Sequence, residues 1–364
     1  GYQILFMDVR DAAACSEAVS LAKKRGFARL SGFVNGVLRT IVREKDRLPV
    51  PDKKEFDKYL SITYSVPEWL SRLMIDQYGA QTAETMFASF LEARPLTIRT
   101  NLSVITPEAL EEELKKEGVS VERGAYLPYA LTISHLNYLG KLAAFRQGKF
   151  AVQDESSQLA VEVADINEGD FVLDVCAAPG GKTFHAADRL HGTGKVLSRD
   201  LTEYKTDLIE ENKDRMCYEN VEVQQWDALV EDESLLESVD VLLADLPCSG
   251  LGIMGRKNDI KYQMTQQQLS ELAQLQRNIL SVIWKYVKPG GEMIFSTCTL
   301  NRGENVENIR WIEENTPMRL VSIEDYLPET LKGRTGSQGY LQLIPGKDSC
   351  DGFFISKFER PEAR

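Results

Sequence analysis

The sequence predicts an α/β protein whose C-terminal part is a doubly wound, mostly parallel sheet. Three observations predict it. From about residue 151, apolar strands alternate with amphipathic helices, as crossover-connected parallel strands require. A glycine-rich turn, "CAAPGGKT", directly follows the first of these strands. Acidic residues close three successive strands, at Asp174, Asp200 and Asp227, and such sheets bind ligands outside the carboxyl ends of their strands.

The 364 residues leave room for two or three domains. The first, residues 1–57, reads as helical. "ACSEAVSLAKKRG" sets Ala14, Val19, Leu21 and Ala22 on one face and stops at Gly26. "LSGFVNGVLRTIVREKDRL" continues with Phe33, Val37, Ile41 and Val42. The Pro-punctuated "LPVPDKKE" at 48–55 reads as a linker. The chain opens inside an apolar stretch, "GYQILFM", with no initiating Met, so more of the helical domain is expected before it.

Residues 58–150 form the second, a small α+β domain. A helical stretch runs from Pro67 to Glu92, "PLTIRTNL" is a strand, and a helix starts at Thr106-Pro107 and stops at Gly118.

Residues 151–364 form the third. Its strands are "DFVLDV", "KVLSRD", "VEVQQWD", the more apolar "VDVLLADLP", and "GEMIFSTCTL", with "YLQLIP" and "GFFISKF" as late strands. A long helix near 267–287 carries Leu269, Leu272, Leu275, Ile279, Ile283 and Val287 along one face.

Composition excludes several classes. No window approaches about 18 consecutive apolar residues, and no secretory signal opens the chain, so neither a membrane span nor export is expected. None of the six cysteines lies in a Cys-x-x-Cys pair and only three histidines accompany them, which argues against a metal cluster. Six free thiols in a reducing cytoplasm, and a monomer, are the expectation. The net charge of −12 argues against a general nucleic-acid binder. That charge is uneven: +4 over residues 1–60, −1 over 61–150 and −15 beyond. Phosphate contacts therefore fall to local basic groups, foremost in the N-terminal part.

The turn ends in Gly181-Lys182-Thr183, like a triphosphate loop, but the first glycine such a loop needs is replaced by Cys176. Ala177, Ala178 and Pro179 stiffen it further. A nucleoside-binding loop fits better. Gly180 and Gly181 admit a ligand close to the backbone, and the next helix offers its first N–H groups to a carboxylate. Asp200, at the next strand end, can take ribose hydroxyls, and Asp227 an adenine amino group. A carboxylate, a ribose and an adenine without phosphate describe S-adenosylmethionine.

"DLPCSG" after the fourth strand and "STCTL" at the end of the fifth put Cys248 and Cys298 on one rim. A thiol at a strand end is ordinarily a small buried hydrophobe. Two beside a methyl donor point to covalent chemistry. C5 of cytosine is a poor nucleophile until a thiolate adds at C6. A carboxyl at N3, the place of Asp245, favours that addition, and the base must leave its stack to reach the rim.

"DVCAAPGGKT", "DLPCSG", "GRKNDIKY" at 255–262, "STCTL" and "DGFF" at 351–354 together resemble the RNA cytosine-5 methyltransferases, the Sun/NSUN/NOL family. Within it the likeness is to bacterial enzymes of small-subunit ribosomal RNA, and it covers nearly the whole chain. "GFVNGVLRTI" at 32–41 resembles the end of their NusB-like RNA-binding domain. The resemblance implies a Rossmann-like class I methyltransferase domain behind a NusB-like part and a connecting domain. It implies S-adenosylmethionine contacts from Cys176, Ala177, Ala178, Pro179, Gly180, Gly181, Lys182, Asp200, Asp227 and Asp245, with no metal. It further implies methylation of a cytosine C5 in 16S ribosomal RNA, with Cys298 as nucleophile and Cys248 assisting release. Arg256 and Lys261 would meet the RNA. Leu246, Thr299 and Asn258 depart from the family pattern, and Leu246 is expected to alter the pocket wall.

Overall fold

A computed structural model describes residues 1–7, 9–47, 51–136 and 138–362. Two compact units divide between Thr63 and Tyr64.

The first unit holds the helices Tyr2–Leu5, Asp11–Lys24, Ser31–Glu44 and Phe56–Thr63. Its small core joins Ile4, Ala14, Cys15 and Leu38 with Val34, Ile41 and Val42. The packed stripe on Ser31–Glu44 is thus the buried Leu38 with the partly buried Val34, Ile41 and Val42, at i, i+4, i+7 and i+8 from Val34. The expected face is corrected here: Phe33 is 71% exposed, and Val37 and Leu21 are exposed as well. Ser31–Glu44 and Asp11–Lys24 pack on one another along one stripe each, and these three side chains lie off it. The first three residues of the expected linker, 48–50, lie outside the described residues.

In the second unit, the helical stretch expected over Pro67–Glu92 is two helices, Glu68–Tyr78 and Ala80–Ser89. Gly79 parts them at φ 80°, a conformation that costs a residue with a Cβ. Four antiparallel strands follow: β1 (Leu96–Thr100), β2 (Ser120–Arg123), β3 (Ala130–Ser134) and β4 (Phe150–Val152), ordered β2-β3-β1-β4. The helix Pro107–Lys116 is capped by Thr106, whose hydroxyl accepts from the Ala109 N–H. It buries Leu110 and Leu114 against Ile98, Leu131 and Phe150.

The large sheet contains β5 (Phe171–Asp174), β6 (Lys195–Asp200), β7 (Val221–Gln225), β8 (Val239–Asp245), β9 (Val287–Thr297), β10 (Arg319–Leu320), β11 (Tyr340–Leu343) and β12 (Phe353–Glu359). Its order is β7-β6-β5-β8-β9-β12-β10, with β11 beside β12. From β7 to β9 every pairing is parallel, while β12 runs antiparallel to β9, as do β10 and β11 to β12. Strand order reverses between β5 and β8, and the crevice outside their carboxyl ends is where such a sheet binds ligands. Thr265 and Gln268 form a reciprocal capping box at the head of the helix Gln266–Ile283. That helix buries Leu269, Ala273, Gln276, Ile279, Leu280 and Ile283. Leu272 and Leu275 are only partly buried, and Val287 opens β9 instead, because a 3-10 turn at Trp284–Tyr286 ends the helix first. No described helix is long and apolar enough to cross a membrane.

Candidate active site

A cavity of about 170 Å³ opens at the reversal point. Its wall includes Asp174 from β5, Asp245 from β8, and Cys176, Ala177, Ala178, Pro179, Gly181 and Lys182 from the glycine loop. Asp174 is buried, and one carboxylate oxygen, Oδ2, accepts from the Thr183 hydroxyl at 2.8 Å. The other, Oδ1, has no partner. Burial pushes this carboxyl up to about 7.

The loop is pinned by its backbone. Ala177 N–H donates to the Arg199 carbonyl at 3.0 Å, and Gly180 N–H to the Ala177 carbonyl at 2.7 Å. Gly180 sits at φ 101°, and a Cβ there would stand 2.2 Å from the Phe184 ring, so only glycine fits. Lys182 is buried and donates to Asp245 Oδ2 at 2.7 Å and Ser157 Oγ at 2.8 Å. Its charge is met by a carboxylate of the same protein, unlike the lysine of a triphosphate loop, which meets phosphate.

Asp200, buried at the end of β6, binds the loop: Oδ2 accepts from Ala178 N–H at 3.0 Å and Oδ1 from Lys205 at 2.9 Å. Asp227 does not join it. It lies two residues past β7, exposed, and its carboxylate accepts from Leu229 N–H at 2.9 Å. Sequence reasoning missed Gln153, Asp154 and Ser157, which complete the wall from the segment after β4. A run of polar residues leading a buried helix, "QDESSQ", was the available signal. The donor set suits S-adenosylmethionine. The unpartnered Asp174 oxygen can accept from its ammonium, while Asp200 is not part of the cavity wall and fixes the loop that is.

The cysteines meet beside this wall. Asp245 and Ser296 are register partners of β8 and β9, and Ser296 Oγ donates to Asp245 Oδ1 at 2.8 Å. Cys248 and Cys298 follow by three and two residues, and their sulfurs lie 3.3 Å apart. Glu304, fully buried, ties their loops together. It accepts from Ser249 N–H at 2.9 Å, Ser249 Oγ at 2.6 Å, Gln276 Nε2 at 3.1 Å and Asn301 Nδ2 at 3.1 Å. The Cys298 carbonyl accepts from Gly252 N–H at 3.0 Å, and the Gly252 carbonyl accepts from Gly352 N–H at 3.0 Å. A Cβ on Gly352 would fall 2.7 Å from the Gly252 Cα, which explains the glycine of "DGFF", and one on Gly252 would fall 2.0 Å from the Gly352 carbonyl.

The thiol of Cys248 is pushed well up, first by its hydrogen bond with Cys298, then by burial and by the charges of Cys298, Glu304 and Asp245. Burial also raises Cys176, leaving it an unreactive thiol. Leu246 is corrected: it packs in the apolar core and does not line the cavity. Thr299 is buried, its hydroxyl 2.6 Å from Ser249 Oγ. Arg256 is exposed but already paired within the protein. It bonds the Asp351 carboxylate at 3.2 Å and the carbonyls of Arg94 and Pro95 at 3.2 and 2.9 Å. Lys261 is buried, and burial lowers its pKa. Among the described residues no group of His, Cys, Asp and Glu could hold a metal ion.

Residues 161–359 match the 16S rRNA methyltransferase RsmB/F family, residues 66–137 the ferredoxin-like domain of RsmF/B-like methyltransferases, and residues 1–43 the NusB family. The probable ribosomal RNA small subunit methyltransferase B of Bacillus subtilis is 36% identical, over 99% of this chain and 80% of that protein. Ribosomal RNA small subunit methyltransferase B of Vibrio cholerae is 31% identical, over 98% of this chain and 78% of its own length. The crystal structure of PH0851 superposes with a TM-score of 0.84 at 28% identity, covering 98% of this chain and 80% of that one. NSun6 from Pyrococcus horikoshii, solved with SFG, shares the fold with a TM-score of 0.72 at 23% identity, over 82% of this chain and 99% of its own. A family match over more than half of the chain, and relatives above 30% identity along nearly all of it, carry one conclusion: the chain belongs to the 16S rRNA methyltransferase RsmB/F family.

Proposed function

We propose that the protein methylates C5 of a cytosine in 16S ribosomal RNA through a covalent bond between Cys298 and cytosine C6, with Cys248 assisting release. Family membership makes it an S-adenosylmethionine-dependent ribosomal RNA methyltransferase. The choice of atom and the covalent route are the proposal. The observation that carries it is the pair of sulfurs 3.3 Å apart, reached from the strand that bears Asp245 and its neighbour.

The chemistry follows from that geometry. Cys298 as a thiolate forms a bond to C6, and the C5–C6 electron pair moves towards C5 and N3. Asp245 faces N3, and the Lys182 ammonium that donates to it at 2.7 Å supplies the positive charge and the proton that N3 takes up as charge develops there. Bound S-adenosylmethionine, held by Asp174 and by the loop from Cys176 to Lys182 that Asp200 fixes, supplies the methyl group that C5 takes. C5 then carries both hydrogen and methyl. Bonding of Cys298 to C6 removes the hydrogen bond that holds the Cys248 proton most firmly, and the charge of Cys298 with it. Cys248 can then release that proton and serve as base. Removal of the C5 proton restores the C5–C6 double bond and expels Cys298 as thiolate.

Incubating protein-free 16S ribosomal RNA with the enzyme and the methyl donor, then sequencing after bisulfite treatment, tests the reading. A single new protected cytosine is expected, and methyl incorporation without any protected cytosine overturns it.

A further inference from the structure

The tract "GRKNDIKY" supplies a group that the reaction above does not use. Tyr262 is 64% exposed, yet it is not free to swing. Its hydroxyl donates to the Ser65 carbonyl at 2.7 Å. The other end of the tract is pinned by Arg256, on Asp351 and on the carbonyls of Arg94 and Pro95. Between these anchors Ile260 Cδ1 lies 3.0 Å from where a Cβ on Gly250 would stand. Gly250 is two residues beyond Cys248, so the tract lies against the cysteine loop. Beside the ring, the Lys261 ammonium stands 5.4 Å from its centroid, and burial alone lowers that group's pKa, with no carboxylate opposing the shift.

A fixed, solvent-facing aromatic ring next to a cation that has no carboxylate partner among the described residues suits neither core packing nor an internal ion pair. It suits single-stranded RNA. Bases flanking a flipped nucleotide lose their stacking neighbour, and an aromatic face restores it, while a nearby cation meets the phosphate. Anchoring at both ends means little freedom is lost on binding.

We propose that Tyr262 is a stacking platform for a base flanking the target nucleotide, with Lys261 meeting the adjoining phosphate. The inference rests on the proposed function only in taking RNA as the substrate.

The test compares two variants of the full chain by their affinity for protein-free 16S ribosomal RNA, at enough salt to weaken general backbone attraction. Tyr262→Leu removes the ring and should weaken binding about tenfold, within the range for loss of one base–aromatic stack. Tyr262→Phe keeps the ring and loses only the tether, and should stay within about twofold of the parent. S-adenosylmethionine affinity should not change in either. Unchanged RNA affinity in Tyr262→Leu, or an equal loss in Tyr262→Phe, overturns the platform. Methylation of an atom other than cytosine C5 by the unaltered enzyme would overturn the reaction, and this comparison of affinities would still decide the platform.

Discussion

Lys182 Nζ lies 2.7 Å from Asp245 Oδ2, so the lysine of the glycine loop is spent on the carboxylate assigned to the substrate base. The pair joins the donor loop to the strand that leads to Cys248. Removing the lysine leaves the Asp245 carboxylate, itself partly exposed, without its cation. Lys182→Met should cost about 1–3 kcal/mol of stability, discounted from a fully buried pair for the exposure of Asp245. Methyl transfer should fall further than stability does. Urea denaturation beside a transfer assay checks both, and an unchanged transfer rate would remove Lys182 from the machinery.

The carboxyl of Asp174, held up to about 7 by burial, sets a pH dependence. Below that pH it is protonated and cannot accept from an ammonium without first losing its proton. S-adenosylmethionine affinity should therefore rise about tenfold per pH unit below 7 and level off above it. The folded pKa exceeds the unfolded one, so the stability this group contributes is full below about 4 and is lost as pH rises through 7. Calorimetry across pH 5.5–8 should show the slope, and Asp174→Asn should flatten it. A flat profile in the parent would detach Asp174 from the ligand.

Asp200 offers a second check on the donor site. Asp200→Ala removes acceptors from Ala178 N–H and from Lys205. Affinity for S-adenosylmethionine should weaken by about 1–3 kcal/mol, the cost of losing a buried charged partner. Equal affinity in calorimetry would take Asp200 out of the site.

Glu304 holds both cysteine loops and its charge helps to raise Cys248. Glu304→Ala leaves four donors without their acceptor and should cost at least about 3 kcal/mol. Glu304→Gln should lower the pKa of Cys248 and so speed its alkylation at mildly alkaline pH. Mass spectrometry after timed iodoacetamide treatment reads this directly. Slower alkylation would contradict the electrostatic account.

The sheet was legible because its signals are local. Apolar runs bounded by Asp174, Asp200 and Asp245 mark strands, and Gly180 can only be glycine at its turn. The cysteine rim was legible from topology, since parallel β8 and β9 leave the sheet together. What escaped depends on long-range packing. Glu304 looks like any surface glutamate until Ser249, Gln276 and Asn301 converge on it. Arg256 reads as an RNA contact, yet Asp351, 95 residues away, claims it. Asp227 follows a strand as Asp200 does, but it lies exposed and binds its own turn, whereas Asp200 is buried and binds the glycine loop. On Ser31–Glu44, Ile41 and Val42 were placed correctly, but Phe33 and Val37 were taken for their neighbours Val34 and Leu38, which are also apolar, and only the partner helix decides between them.

In the proposed reaction Cys298 attacks and Cys248 releases. The most direct measurement is a denaturing gel of Cys248→Ala and Cys298→Ala after incubation with 16S ribosomal RNA and S-adenosylmethionine. Addition and elimination are separate steps, so losing a group that serves only the second leaves the first intact. A slow-migrating protein–RNA band is expected for Cys248→Ala and none for Cys298→Ala. A band with Cys298→Ala alone would reverse the two roles, and full activity in both variants would contradict the covalent mechanism.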